Sequence, residues 1–408
     1  MISAADTAFI LISAALVLLM TPGLAVFYAG MVRGKNVLGT ILQSFIMISV
    51  ISIEWVYIGY SMAFGPDVGG LIGDLSFFAL HGVTAEPSAH YATTIPHNVF
   101  MIYQCMFAVI TPALITGAFA ERMRFGPFLI FSLCWTLLVY NPVCHWVWGY
   151  GGWLGAKGVL DFAGGLVVHL TSGMAALASV LVLGPRKGLG RESFIPHNLP
   201  MTLLGTGLLW FGWFGFNGGS ALAANGIAAT AFISTHLAGM AGMGMWIIVE
   251  WLHRGKPTTL GAASGAIAGL ATVTPGAGFI TANAAIMIGI IAGACCYAAV
   301  AMKNRIGFDD SLDVVGIHGL GGIIGTICLG VFATKAVNPN GADGLLAGNA
   351  AFLGTQIFGV AVVGAYAFIV SLVLLKIIDL VSGGLRVSHE NEVVGLDQSS
   401  HSETAYNM

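Results

Sequence analysis

Long apolar stretches follow one another along nearly the whole chain, and this pattern constrains the fold more than any other feature of the sequence. A transmembrane helix needs about 20 predominantly apolar residues, whereas the strands of a membrane barrel give weaker, alternating segments of about ten residues. The pattern therefore predicts an all-α integral membrane protein with eleven transmembrane helices. Their approximate ranges are 8–31, 41–64, 98–119, 126–143, 163–184, 199–217, 228–252, 258–274, 283–302, 313–333 and 350–380.

The composition agrees with a protein whose solvent is the lipid bilayer. Only 8% of the residues are charged and 57% are hydrophobic, whereas about 25% of the residues of an average soluble domain are charged. Glycine supplies 57 of the 408 residues, which favours helices that approach one another closely. The net charge of −3 gives no basic surface for nucleic acid. The six cysteines show no C-x-x-C spacing, so we expect small buried side chains, with no metal and no cofactor.

The positions of lysine and arginine predict the orientation in the membrane. Of the 15 basic residues, only Lys157 and Lys335 fall in connections on one side of the predicted bundle. The others fall on the opposite side or near the C-terminal tail, and an excess of basic residues marks the cytoplasmic side. We therefore expect the N-terminus outside and the tail at 382–408 in the cytoplasm.

The number of spans predicts how the chain is divided. An odd number of crossings per half inverts the second half relative to the first, so spans 1–5 and 6–10 are expected to form an inverted repeat. The halves would cover about 1–190 and 191–335, followed by span 11 at about 350–380. All of them belong to one transmembrane domain at 1–381, and inverted repeats place their shared site near the middle of the bilayer.

Two histidines lie inside the apolar stretches, His169 in the fifth and His318 in the tenth. An ionisable side chain is costly in lipid, so such residues are candidates for a functional site. The alternative for a single buried histidine is a structural hydrogen bond. Because the two histidines occupy corresponding spans, the pattern favours a pore that handles protons or small cations.

Seven specific sequence blocks follow one another along the chain: GLAVFYAGMVRGKNVL, QCMFAVITPALITGAFAERMRF, WVWGYGGWL, LDFAGGLVVH, LLWFGWFGFNGGSALAAN, DDSLDVVGIHGLGGIIGT and GLRVSHENEVVGLDQSSHSETAY. In these blocks nearly the whole chain resembles the ammonium transporters of the Amt/Rh superfamily, and within it the bacterial Amt proteins. This resemblance implies transport of ammonium or ammonia across the bacterial cytoplasmic (inner) membrane, with methylammonium as a substrate analogue and no enzymatic activity. It also implies a homotrimer with one pore per subunit.

The resemblance also implies an outer vestibule that recruits ammonium, with Phe107, Trp148 and Ser220 at the matching positions. Aromatic faces attract cations, and a serine hydroxyl can accept an N–H bond. Phe107 and Phe216 would form the gate below this vestibule. The alternatives from the residues alone are an interfacial aromatic belt, core packing and a small serine between helices.

Below the gate, the family places twin histidines, which correspond to His169 and His318. Two neutral imidazoles can share one hydrogen bond, with one ring donating and the other accepting. The resemblance implies that ammonium gives up its proton near the gate and crosses as NH3, because a bare ion in an apolar channel carries a Born cost of order tens of kcal/mol. The sequence leaves open whether the proton follows along the histidines and makes transport electrogenic.

Three acidic residues complete the candidate site. Asp161 stands eight residues before His169 and matches the acidic residue of the family. A cap of the fifth helix is the plainer interpretation, and we expect a supporting role. Asp313 is predicted to be its counterpart before the tenth span. Glu54 departs from the expected pattern because it lies in mid-span, where it would have to be protonated or hydrogen-bonded; helix packing is favoured over a second proton-linked site.

The tail at 382–408 would be a disordered terminus on composition alone, but its resemblance to Amt tails implies contact with a neighbouring subunit and regulation by a PII-type signalling protein.

One alternative function is that of an ammonium receptor with little flux, for which a long C-terminal signalling module would be typical. A second is an Rh-type channel for neutral gas, against which Trp148 and Ser220 argue. The third is an intramembrane metal enzyme, which needs a third ligand and usually H-E-x-x-H spacing; the sequence shows neither.

Overall fold

Eleven apolar helices form the body of the protein in a computed structural model that describes residues 1–406, the side chain of Asn304 excepted. Ten of them are long and apolar enough to cross a bilayer. The fold class predicted from the sequence is confirmed, while the number of crossings and the orientation stay predictions. The helices are α1 (Ala4–Met31), α2 (Gly34–Phe64), α3 (His97–Ala118), α4 (Phe125–Ala156), α5 (Gly165–Leu183), α6 (Leu199–Gly219), α7 (Gly226–Arg254), α8 (Thr259–Val273), α9 (Ala282–Lys303), α10 (Val315–Phe332) and α11 (Ala350–Ser382).

Helix α8 is the one that falls short of a full crossing by length. It has 15 residues, which is about 22 Å at 1.5 Å per residue, against a hydrocarbon core of about 30 Å. Nearly all of its residues are buried. The helix therefore lies inside the bundle rather than at its lipid-facing surface.

Four helices contain a wider, π-helical turn. The i→i+5 hydrogen bonds of such a turn open the helix locally, and π-helical turns are frequent at functional sites. The turns at the start of α5 and of α10 contain the two histidines that the sequence singles out. The four segments are Trp55–Gly59, Thr136–Tyr140, Gly165–Leu170 and Val315–Gly319.

Helices α5 and α10 cross at a pair of glycines. A Cβ atom added at Gly173 would lie 2.1 Å from the Cα of Gly319, so the two backbones touch directly. Gly319 follows His318 in the chain, and Gly173 lies about one turn after His169. The crossing therefore brings the two histidines to the same level of the bundle.

A cluster of ionic side chains ties the connections together on the side that the basic residues mark as cytoplasmic. Glu121 accepts the backbone N–H of Arg33 at 2.7 Å and pairs with the guanidinium groups of Arg33 and Arg186, at 2.8 and 3.3 Å. Arg186 also pairs with Asp309 at 2.8 Å. We refer to Arg33, Glu121, Arg186 and Asp309 as the ionic cluster.

The described part of the tail packs on this same side. It contains the short helices α12 (His389–Val394) and α13 (Leu396–His401). The carboxylate of Asp397 accepts the backbone N–H of Gly39 at 2.8 Å. The tail up to residue 406 is thus held by the transmembrane part of its own chain.

The connection between α2 and α3 lies on the opposite side. It contains a small antiparallel hairpin of strands β1 (Asp67–Val68) and β2 (Ile72–Gly73). The backbone N–H of Trp153 donates to the carbonyl of Gly70 in the turn of this hairpin, at 3.1 Å. The hairpin is therefore fixed to the end of α4.

Candidate functional site

His169 and His318 meet in the middle of the protein. Their Nδ1 atoms lie 3.2 Å apart, and the rings are almost parallel, with an angle of 20° between their planes. Both side chains are buried, at 2% and 4% exposure. One Nδ1 must donate and the other accept, because two lone pairs or two protons facing each other would repel. The structure thus brings together the two residues that the sequence paired.

Asp161 holds the start of the helix that carries His169. Its carboxylate accepts hydrogen bonds from four consecutive backbone N–H groups at 2.7–3.1 Å, and these groups would otherwise have no partner at a helix N-terminus. Gly164, with a φ of +128°, makes the sharp bend that allows this wrapping. The donors are Gly164, Gly165, Leu166 and Val167.

Asp310 occupies the corresponding position before α10. It stands eight residues before His318, as Asp161 stands eight before His169. Its Oδ2 accepts the backbone N–H of Val315 at 2.7 Å. Burial raises the pKa of Asp310 to about 6, against the opposing effect of a nearby lysine. Asp310 is not among the residues predicted from the sequence, although the repeated spacing of eight identifies it.

Asp313 therefore does not play the part that was predicted for it. Its backbone has a φ of +63°, and its side chain pairs with Lys303 instead of capping α10. It stands three residues after Asp310, as Gly164 stands three after Asp161. The prediction of a cap was thus placed one turn too late, at the bend rather than at the capping position.

A narrow, almost wholly apolar cavity surrounds the histidine pair, and we call it the histidine cavity. Its volume is about 10 Å³, which is enough for about one molecule of the size of water. Nε2 of His169 has no hydrogen-bond partner among the described residues. The cavity is lined by Met20, Leu24, Phe27, Ile110, Leu114, Val168, His169, Leu209, Trp213, Phe216, Ile267 and His318.

Two phenylalanines close one end of the histidine cavity. The ring centroids of Phe107 and Phe216 lie 4.3 Å apart, and each residue is 1% exposed. Phe216 lines the histidine cavity, while Phe107 lines the next, wider one. The pair therefore separates the two spaces.

The wider space, which we call the aromatic cavity, has a volume of about 400 Å³. Trp148 and Ser220 line it together with Phe107. Trp148 meets Phe107 edge to face, with centroids 6.1 Å apart, and donates its Nε1–H to the carbonyl of Asp161 at 2.7 Å. The hydroxyl of Ser220 donates to the carbonyl of Phe216 at 2.8 Å. All three predicted vestibule residues thus face one cavity.

A third cavity, of about 270 Å³, lies on the other side of the histidines. Ser264, one helical turn before Ile267 on α8, lines it, and so do Glu250 and Asp313. Polar side chains therefore line the space on this side of the histidine cavity. No sequence feature distinguishes Glu250, because a carboxylate near a helix end is ordinary.

Trp213 is a further residue of the site that sequence reasoning missed. Its ring stacks on His169, with centroids 5.6 Å apart, and its Nε1–H donates to the hydroxyl of Thr274 at 2.9 Å. The ring therefore sets the orientation of the imidazole from the side. In the sequence it is one of several aromatic residues in an apolar helix, so no local signal distinguishes it.

Glu54 lies outside all three cavities. Its Oε1 accepts a hydrogen bond from Nδ2 of Asn141 at 2.7 Å, and its Oε2 has no partner among the described residues. The side chain is 5% exposed and links α2 to α4. Within residues 1–406, no group of three or more His, Cys, Asp or Glu is arranged to hold a metal ion.

The chain matches the profile of the Ammonium Transporter Family over residues 8–406. It is 54% identical to the ammonium transporter of Bacillus subtilis (strain 168), over 98% of both chains. It is 48% identical to the ammonium transporter Amt1 of Archaeoglobus fulgidus, over 98% of this chain and 99% of the relative.

Solved structures resemble the whole fold. The crystal structure of Saccharomyces cerevisiae Mep2 superposes with a TM-score of 0.90 at 37% identity, covering 95% of this chain and 88% of Mep2. A structure described as a sensor Amt protein also gives a TM-score of 0.90, at 29% identity, and covers 97% of this chain and 98% of that one.

Proposed function

The chain belongs to the ammonium transporter family, and we propose that the histidine cavity is the passage through which it conducts its substrate as ammonia. In this proposal NH4+ binds in the aromatic cavity, gives up its proton near Phe107, and crosses as NH3 past His169 and His318. The observation that carries the proposal is the contact between the two imidazoles inside an otherwise apolar cavity. Transport of ammonium is also what the named relatives support.

The size and the polarity of the histidine cavity favour a small neutral molecule. A bare cation there would have lost its hydration shell, at a Born cost of order tens of kcal/mol. Deprotonation removes this cost for ammonium, and NH3 is about as large as water. A potassium ion has no proton to release, so the same apolar wall excludes it.

The shared hydrogen bond gives the cavity one donor and one acceptor. In a neutral pair, the ring that donates through Nδ1 has a free lone pair on Nε2, and the other ring carries its proton on Nε2. NH3 can donate to the first and accept from the second. The pair therefore offers partial solvation to ammonia without a net charge.

The aromatic cavity suits the cation before its deprotonation. The indole of Trp148 provides the aromatic surface that attracts ammonium. The hydroxyl proton of Ser220 is engaged with a backbone carbonyl. Its oxygen also lies 3.3 Å from the hydroxyl of Tyr103, which leaves at least one lone pair to accept an N–H bond. The carboxylate of Asp161 is taken up by backbone N–H groups; it therefore supports the wall and contributes negative potential.

Flux measurements on purified protein in liposomes test this proposal. We would record current and internal pH after pulses of ammonium, methylammonium or potassium, in wild type and in His169→Ala and His318→Ala. His81→Ala, in an exposed connection, is the matched control. Selective ammonium flux that falls in both variants and persists in the control supports the proposal. Flux that is unchanged without the histidines contradicts it.

The same experiment separates the alternatives. An ammonium current would mean that the proton crosses separately, whereas an internal pH rise without current would mean neutral NH3 conduction, as in an Rh-type channel. Absence of both from correctly folded protein would favour a sensor that signals through the tail.

We also propose that the protein is a homotrimer in the bacterial cytoplasmic membrane. His236 is exposed on the surface of α7, well inside the span. Polar groups at this depth are costly against lipid, which supports a subunit contact on this face. Native mass spectrometry of wild type, His236→Leu and the lipid-side control Ile369→Leu would test it; trimers of equal stability in all three would contradict this placement.

A PII-type signalling protein is the proposed partner on the tail side. The proposal rests on the family tail sequence and on the ordered packing of residues 383–406 beside the ionic cluster. A pull-down of a PII protein by the full chain, and its loss when the tail is removed, would test it.

A further inference from the structure

His145 is a fully buried imidazole whose two ring nitrogens both face hydrogen-bond acceptors. Nδ1 lies 2.9 Å from the carbonyl oxygen of Ala63 at the end of α2. Nε2 lies 2.9 Å from Oδ1 of Asp67 in strand β1. The exposed fraction of the side chain is 0%, so water does not compete for either nitrogen.

These contacts constrain the protonation state of the ring. A carbonyl oxygen can only accept, so Nδ1 must carry a proton. Nε2 would then be an acceptor in a neutral ring, and the carboxyl of Asp67 would have to donate to it. The backbone N–H of Gly70, however, donates to both carboxylate oxygens of Asp67, at 2.8 and 3.0 Å. These contacts favour the charged form of a group whose ordinary pKa is about 4, so Asp67 is a carboxylate at neutral pH. Both ring nitrogens therefore carry protons.

We propose that His145 is a positioning residue in the imidazolium form, clamped between the Ala63 carbonyl and the Asp67 carboxylate, and that this clamp holds Trp148 in the wall of the aromatic cavity. The inference rests on the proposed role of Trp148 in binding the cation. It assigns no substrate contact to His145 itself.

The chain around this clamp is built to fit it. A Cβ atom at Gly149 would lie 2.5 Å from Nδ1 of His145, and one at Gly151 would lie 2.6 Å from the Cβ of Asp67. Gly151 also has a φ of +90°, a conformation that other residues rarely adopt. The glycines of the WGYGGW block thus leave room for the imidazole and for the aspartate.

The clamp lies one turn from Trp148 on the same helix. The carbonyl of His145 accepts the backbone N–H of Gly149 at 2.9 Å, so Trp148 sits inside the turn that His145 closes. The indole is then held by Asp161 on one side and by Phe107 on the other. A shift of this last turn would move the indole relative to Phe107.

Asp67 also balances the charge of the clamp. An uncompensated imidazolium near the aromatic cavity would repel an incoming cation. Paired with a carboxylate at 2.9 Å, it contributes almost no net charge. Because both of its protons are engaged, His145 is unsuited to relay protons, in contrast to the pair in the histidine cavity.

Two measurements on the full-length protein test the inference. The first is nitrogen-15 NMR of histidine-labelled protein in lipid near neutral pH, with His145→Gln to assign the signal. Wild type should show a ring with two protonated nitrogens, and Asp67→Asn should convert it to a neutral ring. A neutral His145 in the wild type overturns the inference.

The second is methylammonium uptake in liposomes. Asp67→Asn should raise KM roughly threefold to tenfold with little change in kcat, because substrate binding is weakened while the passage is intact. Asp74→Asn is the matched control, since this carboxylate lies in the same connection and, among residues 1–406, binds only Ser76. An unchanged KM in Asp67→Asn overturns the positioning role. Failure of the proposed function is distinguishable, because Trp148→Leu would then leave KM unchanged while the NMR signature of His145 persists.

Discussion

The ring centroids of Phe107 and Phe216 lie 4.3 Å apart. This contact separates the aromatic cavity, of about 400 Å³, from the histidine cavity, which has room for about one water molecule. The two residues belong to α3 and α6, in different halves of the chain. The barrier between the cavities therefore depends on the packing of the two halves.

Widening this contact should reduce selectivity. We expect Phe107→Ala to join the two cavities and to admit water, so that potassium current appears beside ammonium flux in the liposome assay. Truncation of a buried phenylalanine also costs about 3–5 kcal/mol of stability, so thermal unfolding must be measured in parallel. Phe162→Leu is the control, because Phe162 lines the same cavity but packs on Phe279. Strict ammonium selectivity in folded Phe107→Ala would contradict the barrier.

The cap formed by Asp161 should contribute more to stability than the one formed by Asp310. Asp161→Asn leaves one acceptor oxygen where four N–H groups converge, so we expect a loss of about 1–3 kcal/mol. The side chain of Asp310 accepts the backbone N–H of Val315, against four such groups at Asp161. Asp310→Asn also removes a buried charge, so its cost in stability should be smaller. Thermal unfolding of both variants in the same detergent measures the difference. Equal losses would show that the four hydrogen bonds of Asp161 carry no special weight.

The crossing of α5 and α10 should tolerate no side chain. In Gly173→Ala the new methyl group would lie 2.1 Å from a backbone atom of Gly319, so the helices must separate and the histidines with them. We expect loss of ammonium flux and a clearly lower unfolding temperature. Gly354→Ala on α11 is the control, because nothing lies within 4 Å of its added Cβ. A Gly173→Ala protein with normal flux would mean that the crossing is looser than the structure shows.

Glu54 should behave as a packing residue rather than as a proton carrier. Glu54→Gln keeps an oxygen for the amide of Asn141, so we expect unchanged flux and an unchanged pH profile. Glu54→Leu leaves that amide buried without its partner and should cost about 1–3 kcal/mol. A pH profile that shifts in Glu54→Gln would instead indicate a second proton-linked site. Methylammonium uptake from pH 5 to 8 distinguishes the two.

The ionic cluster should make stability depend on acidic pH. Burial alone would raise the pKa of Glu121 and of Asp309, but Arg186 and its arginine neighbours hold both pKa values below the ordinary carboxyl range. A carboxyl whose folded pKa is lowered stabilises the fold above its unfolded pKa of about 4, and this contribution is lost as pH falls through the folded value.

Glu121→Gln is the variant that tests this dependence. It should lose roughly 3–5 kcal/mol at neutral pH, because it leaves the arginines partly unpaired. Its unfolding temperature should then fall less steeply than that of wild type below about pH 4. Glu86→Gln, in an exposed connection, is the control. Parallel curves for Glu121→Gln and wild type would contradict the prediction.

Much of the candidate site was predictable because it depends on local sequence. Each residue predicted for the vestibule or the gate lies in a sequence block that is specific to the family, and His169 and His318 stand out as ionisable residues in apolar spans. Asp310 could have been found in the same way, from its distance to His318. Trp213 could not, because its role depends on the ring of His169 that packs against it.

Sequence alone determined the apolar helices, since each of them needs only its own residues to be stable in lipid, and it determined the family through the order of its blocks. Tertiary structure decided what those helices place together. The 3.2 Å contact of the histidines, the packing of the tail and the His145–Asp67 clamp join residues that are 149, 358 and 78 positions apart. Apolar helix faces resemble one another too closely for a hydropathy pattern to specify such pairs, because helix packing in a membrane depends on close shape fit and a few hydrogen bonds.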